Sequence, residues 1–177
     1  GRGRYHLKSP GPIREKEGSM PCYMKYGTIK GDVQADRYKE WIELHTMQFG
    51  VGRGIAQGGG SGLNREAGKA SVSEITVTKT CDESSVYLFQ EACKGLATDC
   101  QIHLTTVQKD TLQPYLEYKL TDCLISGFST SSGGDRPNES LSLNFLKVET
   151  AFTPYDSKGT AGTPIKAFYN LSDATSG

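Results

Sequence analysis

Apolar residues recur at every second position along most of this chain, a period that belongs to strands burying one face. Ile75 and Val77 alternate with Thr76 and Thr78 in a β-branched run suited to a half-buried strand. Ile102 and Leu104 repeat the pattern after a polar turn, and Leu116, Tyr118 and Leu120 stand in phase with Glu117 and Lys119 between them. From Trp41 to Phe49, Ile42 and Leu44 oppose Trp41, Met47 and Phe49, so both faces of that segment carry apolar groups. Strands apolar on both faces require cover on both sides. In a chain of 177 residues, part of that cover is expected from another copy of the chain.

One strand slips phase. Leu141, Leu143 and Phe145 alternate, and the series then continues one residue out of step as Leu146, Val148 and Phe152. A one-residue slip moves the apolar set to the opposite face. It marks either a bulge or a strand that leaves one sheet and enters another, the usual ways of turning a barrel corner. The expectation is a mainly β fold, a small β-barrel of two sheets.

A single segment breaks the pattern. Asp82-Glu83-Ser84-Ser85 offers capping side chains and early negative charge for a helix start. Val86, Phe89 and Cys93 then share a helical face, with Leu88 and Ala92 beside it, and Gly95 supplies a stop. One lateral α-helix among roughly eight strands is the reading. Residues 50–70, GVGRGIAQGGGSGLNREAGKA, form a loop too long for a tight hairpin turn. Its eight glycines make ordering costly unless a partner supplies contacts. A second Gly/Ser-rich loop, SSGGDRPNES, precedes the slipping strand.

Composition removes several function classes. Twenty basic and twenty acidic residues cancel, which argues against a general nucleic-acid binder. Residues 1–19 carry +3 and the remainder −3. The opening GRGRYHLKSPGPIREKEGS has neither helical nor strand periodicity and ends just before Met20. We read 1–19 as an expression leader and 20–177 as one domain, with a natural basic arm as the rival reading. No run approaches the roughly 18 apolar residues of a spanning helix, and the start has no secretory apolar core. Export, if it occurs, needs another route.

Chemistry-bearing motifs fail one by one. Between Gly62 and Gly68 stand five residues where a phosphate-binding loop needs four, and Lys69 is followed by Ala70 instead of Ser or Thr. Gly50, Gly52 and Gly54 lack the dinucleotide spacing. The five cysteines (Cys22, Cys81, Cys93, Cys100 and Cys123) form no CxxC pair and are expected as small buried thiols. Outside the leader only His45 and His103 remain, both on strands and both read as surface or barrel-wall groups. No serine sits in a nucleophile elbow, and Asp122 is expected to face solvent or a neighbouring subunit. Neither a catalytic set nor a cofactor or metal site emerges.

WIELHTMQFGV, SVSEITVTKTCDESSVYLFQEACKG, YLEYKLTDCLISGFSTSSGG and RPNESLSLNFLKVETAF, in that order, resemble the haemolysin-coregulated protein (Hcp) family of bacterial type VI secretion. The likeness runs from about Tyr23 to Tyr155, and its most specific part joins VSEITVTKTCDESSVYLF to DRPNESLSLNF. The family usually has Lys or Arg where Cys81 stands, a departure at a helix cap.

The resemblance implies a phage tail-tube-like β-barrel with a lateral helix. It implies homohexameric rings that stack into a tube inside a contractile sheath. The resemblance further implies that the tube is expelled with a spike protein, and that its channel is either a carrier of effectors or an inert conduit. The protein would then sit in the bacterial cytoplasm before firing and outside the cell afterwards, without a signal peptide or stable membrane association. Residues 50–68 look like the family's extended loop reaching toward the next ring, with Arg53, Arg65 and Glu66 as its stacking charges. Two other readings stand beside it. One is a β-barrel binding a small ligand in its interior, which wants smaller inward residues than this Leu/Phe/Tyr set. The other is an enzyme built on a fused toxin domain, for which about twenty residues after Tyr155 are too few.

Overall fold

The alternating runs become strands β1 (Cys22–Tyr26), β2 (Ile42–Leu44), β3 (Thr46–Gln48), β4 (Val51–Gln57), β5 (Arg65–Val72) and β6 (Ile75–Thr80). After helix α1 (Ser85–Lys94) come β7 (Thr98–Gln108), β8 (Thr111–Ser131), β9 (Asn138–Asn144), β10 (Lys147–Phe152), β11 (Ile165–Asn170) and β12 (Thr175–Ser176). The structure, a computed structural model, describes residues 20–57 and 65–177, without the side chains of 56, 57 and 65–67. The leader expected at 1–19 lies outside the described residues.

Two antiparallel sheets face each other across the core. The first runs β2-β1-β7-β8-β10-β11-β12, and the second runs β3-β6-β9-β8. They are joined where single runs of chain cross from one to the other, which makes the body barrel-like. β8 does so within one 21-residue strand, its first half pairing β7 and β10 and its second half β9. Asp122 turns the corner at a φ of 51°, and the buried set passes from Leu120 to Cys123 and Ile125. The slip at Phe145 and Leu146 is a second crossing: β9 lies in the second sheet, β10 in the first. Phe145 is buried and Leu146 turns outward. A third crossing lies where both faces of a segment read as apolar. Ile42 and Leu44 point into the core from β2, and the register then shifts at His45 so that Met47 points inward from β3.

The core between the sheets is made by Met24, Ile42, Ile75, Val77, Ile102, Leu120, Leu141 and Leu143, all fully buried. Each such side chain contributes about 1.5–3 kcal/mol of transfer free energy. Twelve strands stand among the described residues instead of about eight. Two of the expected runs are cut at sheet crossings, and the glycine-rich region contributes two strands of its own. That region is a correction to the expected loop. β4 and β5 pair as a hairpin from Val51↔Val72 to Gln57↔Arg65, with a bulge between Arg53 and Ile55. Glycine costs backbone entropy but does not forbid extended pairing, and the ladder satisfies the backbone groups.

Helix α1 is where expected but is rotated from the expected face. Leu88 is fully buried and Ala92 packs on the core, whereas Val86 and Phe89 are 73% and 55% exposed and Cys93 is exposed too. The N-terminus is held by a buried ionic cluster, and the Ser84 side chain makes no cap of its own. Lys79 Nζ, fully buried on β6, lies 2.8 Å from Glu139 Oε2 and 2.9 Å from Asp82 Oδ1. Ser85 Oγ accepts from Lys79 Nζ and from the Asp82 N–H, and donates to Glu139 at 2.9 Å. Ser85 is thereby pulled inward, and the helix turns with it. At the other end Gly95 adopts the left-handed conformation (φ 64°) and donates its N–H to the Glu91 carbonyl.

Of the cysteines, Cys100 and Cys123 are buried, Cys22 and Cys81 half-buried, so the expectation of buried thiols fails at exposed Cys93. All five are free thiols. Burial pushes the Cys22 thiol up to about 12, far from reactive thiolate.

Candidate assembly surfaces

Both histidines make side-chain hydrogen bonds. His45 is exposed at the break between β2 and β3, its Nε2 2.9 Å from Thr80 Oγ1. His103 sits on the outer face of the first sheet beneath residues 27–41. Tyr38, on a short 3-10 turn at Asp36–Tyr38, stacks on Tyr23 at 4.6 Å and meets Trp41 edge-on. The Tyr38 hydroxyl lies 3.1 Å from His103 Nδ1, and His103 Nε2 lies 3.3 Å from Glu117. Burial, with Arg37 adding, holds the imidazole down to about 4. His103 is therefore neutral at pH 7. Its contact with Glu117 is an N–H donated to a carboxylate, not an ion pair, and Tyr38 donates to Nδ1. The cluster locks a surface segment down. Among the described residues no group of three His, Cys, Asp or Glu side chains could hold a metal ion.

The remaining outer face of the first sheet is strongly charged. Register places Lys25, Gln101, Lys119, Glu149 and Phe168 in one cross-strand row, and His103, Glu117, Ala151 and Lys166 in the next. A concave groove of about 560 Å³ runs over these rows. It lies outside the barrel, whose interior is occupied by the core side chains.

Among the described residues, the arm and the helix each present apolar side chains to solvent. β4 and β5 pair only with each other, forming an arm apart from the main sheets. Val51 and Ile55 on it are exposed. An apolar notch of about 180 Å³ opens at the arm's base, between Phe49, Val51 and Val72 and the Val148 and Tyr169 side of the first sheet. An isolated two-stranded hairpin is marginal in water, so this arm wants a partner. The outward face of α1 is the second surface: Val86, Tyr87 and Phe89, with Phe89 edge-on to Phe128 at 6.0 Å.

The charges expected on the arm are distributed along it. Arg53 is exposed, on β4 opposite Ala70 near the base. Glu66 and Arg65 lie on β5 opposite Ala56 and Gln57, toward the far end, and their side chains fall outside the described residues. One hairpin carries all three, but not as one cluster. The exposed helix face was visible as Val86, Phe89 and Cys93; what the sequence lacked was the sign of its exposure. The Tyr38–His103 lock left no periodic signal, because its members come from a loop and a strand 65 residues apart.

Residues 23–152 match a family model described as "Type VI secretion system effector, Hcp". The chain is 28% identical to Protein hcp1 of Pseudomonas aeruginosa over 157 residues, covering 86% of this chain and 96% of that one. A solved type six secretion system protein superposes with a TM-score of 0.80 at 28% identity, over 90% of this chain and 100% of the other. Hcp1 from Salmonella typhimurium shares the fold at a TM-score of 0.70 and 22% identity, over 88% and 97% of the two chains.

Proposed function

The chain belongs to the Hcp family of type VI secretion tube proteins, and we propose that it works as the tube's structural subunit, closing into hexameric rings that stack. The family match over most of the chain is the observation that carries this reading. Physical support comes from the arm and the outward helix face. They are built from different elements, and a closed ring and a stack of rings both need heterologous contacts, in which one patch meets a different one on the next copy. In this reading the arm reaches the neighbouring ring, with Arg53, Arg65 and Glu66 supplying charges at the junction. Residues 20–177 act as one domain, and 1–19 are a leader added for expression.

The rings lie inside a contractile sheath, are expelled with a spike protein, and carry effectors in the channel. The protein is cytoplasmic before firing and extracellular afterwards. Its role is structural and not catalytic, and it binds neither nucleic acid nor cofactor. A small-ligand barrel is the weaker reading, because Leu, Ile, Met and Tyr side chains occupy the space between the sheets.

Negative-stain micrographs and light scattering of the purified protein test the proposal. Rings with the mass of a hexamer support it; a strictly monomeric protein at high concentration overturns it.

A further inference from the structure

Residues 27–41, between β1 and β2, form a strap folded largely on itself. The Gly31 N–H donates to the Glu40 carbonyl, the Glu40 N–H to that of Val33, and the Val33 N–H to that of Trp41. Tyr38 and Trp41 donate within the strap as well, to the carbonyls of Ala35 and Tyr38. Lifting such a segment off the sheet keeps those bonds, so it opens without unravelling. Its side chains are also separate from the main core. Val33 and Tyr38 are buried with Tyr23 of β1 in a cluster of their own, against which Ala35, Trp41 and Leu112 pack.

The polar ties of the strap to the sheet centre on His103. The Tyr38 hydroxyl lies 3.1 Å from Nδ1, and the Trp41 ring stands 4.8 Å from the imidazole. Arg37 donates to Gln113 Oε1 on β8, and Asp32 accepts from the Glu83 N–H at 3.4 Å. The titratable and charged groups around His103 come from each element packed there. Arg37 and Tyr38 belong to the strap, Tyr23 holds the paired position on β1, and Glu117 the paired position on β8. Tyr155, after β10, shares the field of Arg37 and Glu117, and Lys166 lines the groove beyond.

Glu117 faces Nε2, so the change on protonation falls at Nδ1. In the neutral ring Nδ1 accepts from Tyr38; once protonated it is a second donor, aimed at a hydroxyl that had been donating to it. The new charge also stands in a mostly buried site beside the Arg37 guanidinium, which opposes it. Tyr38 and Arg37 both belong to the strap, so both effects act against its docking and leave the sheet ladder alone.

We propose that residues 27–41 are an acid-released strap: docked while His103 is neutral, it lifts when His103 takes a proton, uncovering Tyr23 and extending the groove along the first sheet. This goes beyond the tube-subunit reading and does not depend on it. Burial and Arg37 hold the docked imidazole down to about 4, whereas a lifted strap returns it toward 6.5. Docking is therefore fully favoured above 6.5 and weakens as pH falls toward 4, by up to about tenfold per pH unit.

Trp41 is the single tryptophan of the chain, so its fluorescence reports the strap directly. In the full chain, acrylamide quenching of Trp41 should rise several-fold from about pH 7 to about pH 4.5, while far-UV circular dichroism stays constant. His103→Asn, whose Oδ1 offers an acceptor in the place of Nδ1 and does not titrate, should show no such rise. Hydrogen exchange of the parent read by mass spectrometry needs no substitution. Corrected for intrinsic rate, peptides within 27–41 should lose protection in acid while β6 and β9 keep theirs. Unchanged quenching in the parent, an equal rise in His103→Asn, or loss of protection in strap and core together each overturns the proposal.

Discussion

Lys79 on β6 and Glu139 on β9 face each other across paired strands with Nζ 2.8 Å from Oε2, and both side chains are buried. The pair sits where an apolar contact would be expected, and with Asp82 and Ser85 it fixes how the helix enters the body. Lys79→Met leaves two carboxylates without their cation and should cost about 3–5 kcal/mol. Lys79→Met with Glu139→Leu should recover a large part of that loss, because the charge left behind is then only Asp82. Urea denaturation of the three proteins measures both steps.

The neutral imidazole of His103 makes stability depend on pH. Its ordinary value of 6.5 is lowered to about 4 by burial, with Arg37 adding. Between those values the unfolded chain binds a proton that the folded one refuses. Stability therefore rises with pH from about 4 to 6.5, and is lost as pH falls through that window. Protonation also removes the acceptor at Nδ1 for the Tyr38 hydroxyl. Denaturation midpoints across this range should show a steeper pH dependence for the parent than for His103→Gln. Parallel curves would mean that His103 titrates normally.

Two neighbouring helix positions should respond in opposite ways. Leu88→Ala removes a fully buried side chain and should cost about 2–5 kcal/mol, read by thermal unfolding. Phe89→Ser changes an exposed one and should leave the monomer within about 1 kcal/mol while weakening association between copies. Sedimentation at several concentrations separates the two effects.

Charge reversal on the arm should act on stacking alone. Arg53→Glu leaves the two main sheets untouched, since β4 pairs only with β5. Tube length in micrographs should fall while the ring mass is kept. Loss of rings would move Arg53 from the ring junction to the contact within a ring.

Much of the architecture was legible because strands carry a period of two into the sequence. The slip at Phe145 and Leu146 could be read as a change of sheet, since long runs flank it on both sides. The same event between Leu44 and Met47 looked like a strand apolar on two faces. Runs of two or three residues cannot separate a phase shift from burial on both sides. The glycine-rich arm looked like a loop, because glycine lowers strand propensity and the partner that makes β4 a strand is β5, further along the chain. Arg53, Arg65 and Glu66 could be found as the charges of that region, but not their order along a hairpin.

Residue types alone determined that this chain would be mainly β with one helix, that no metal or phosphate motif was present, and that apolar surface would be left over. Local periodicity carries that information within a few residues. Which surface was left over was decided only by the tertiary structure. Lys79 and Glu139 are 60 positions apart, and their pairing buries Ser85 and turns Val86 and Phe89 outward. That outcome depends on contacts between distant segments, which no local pattern encodes.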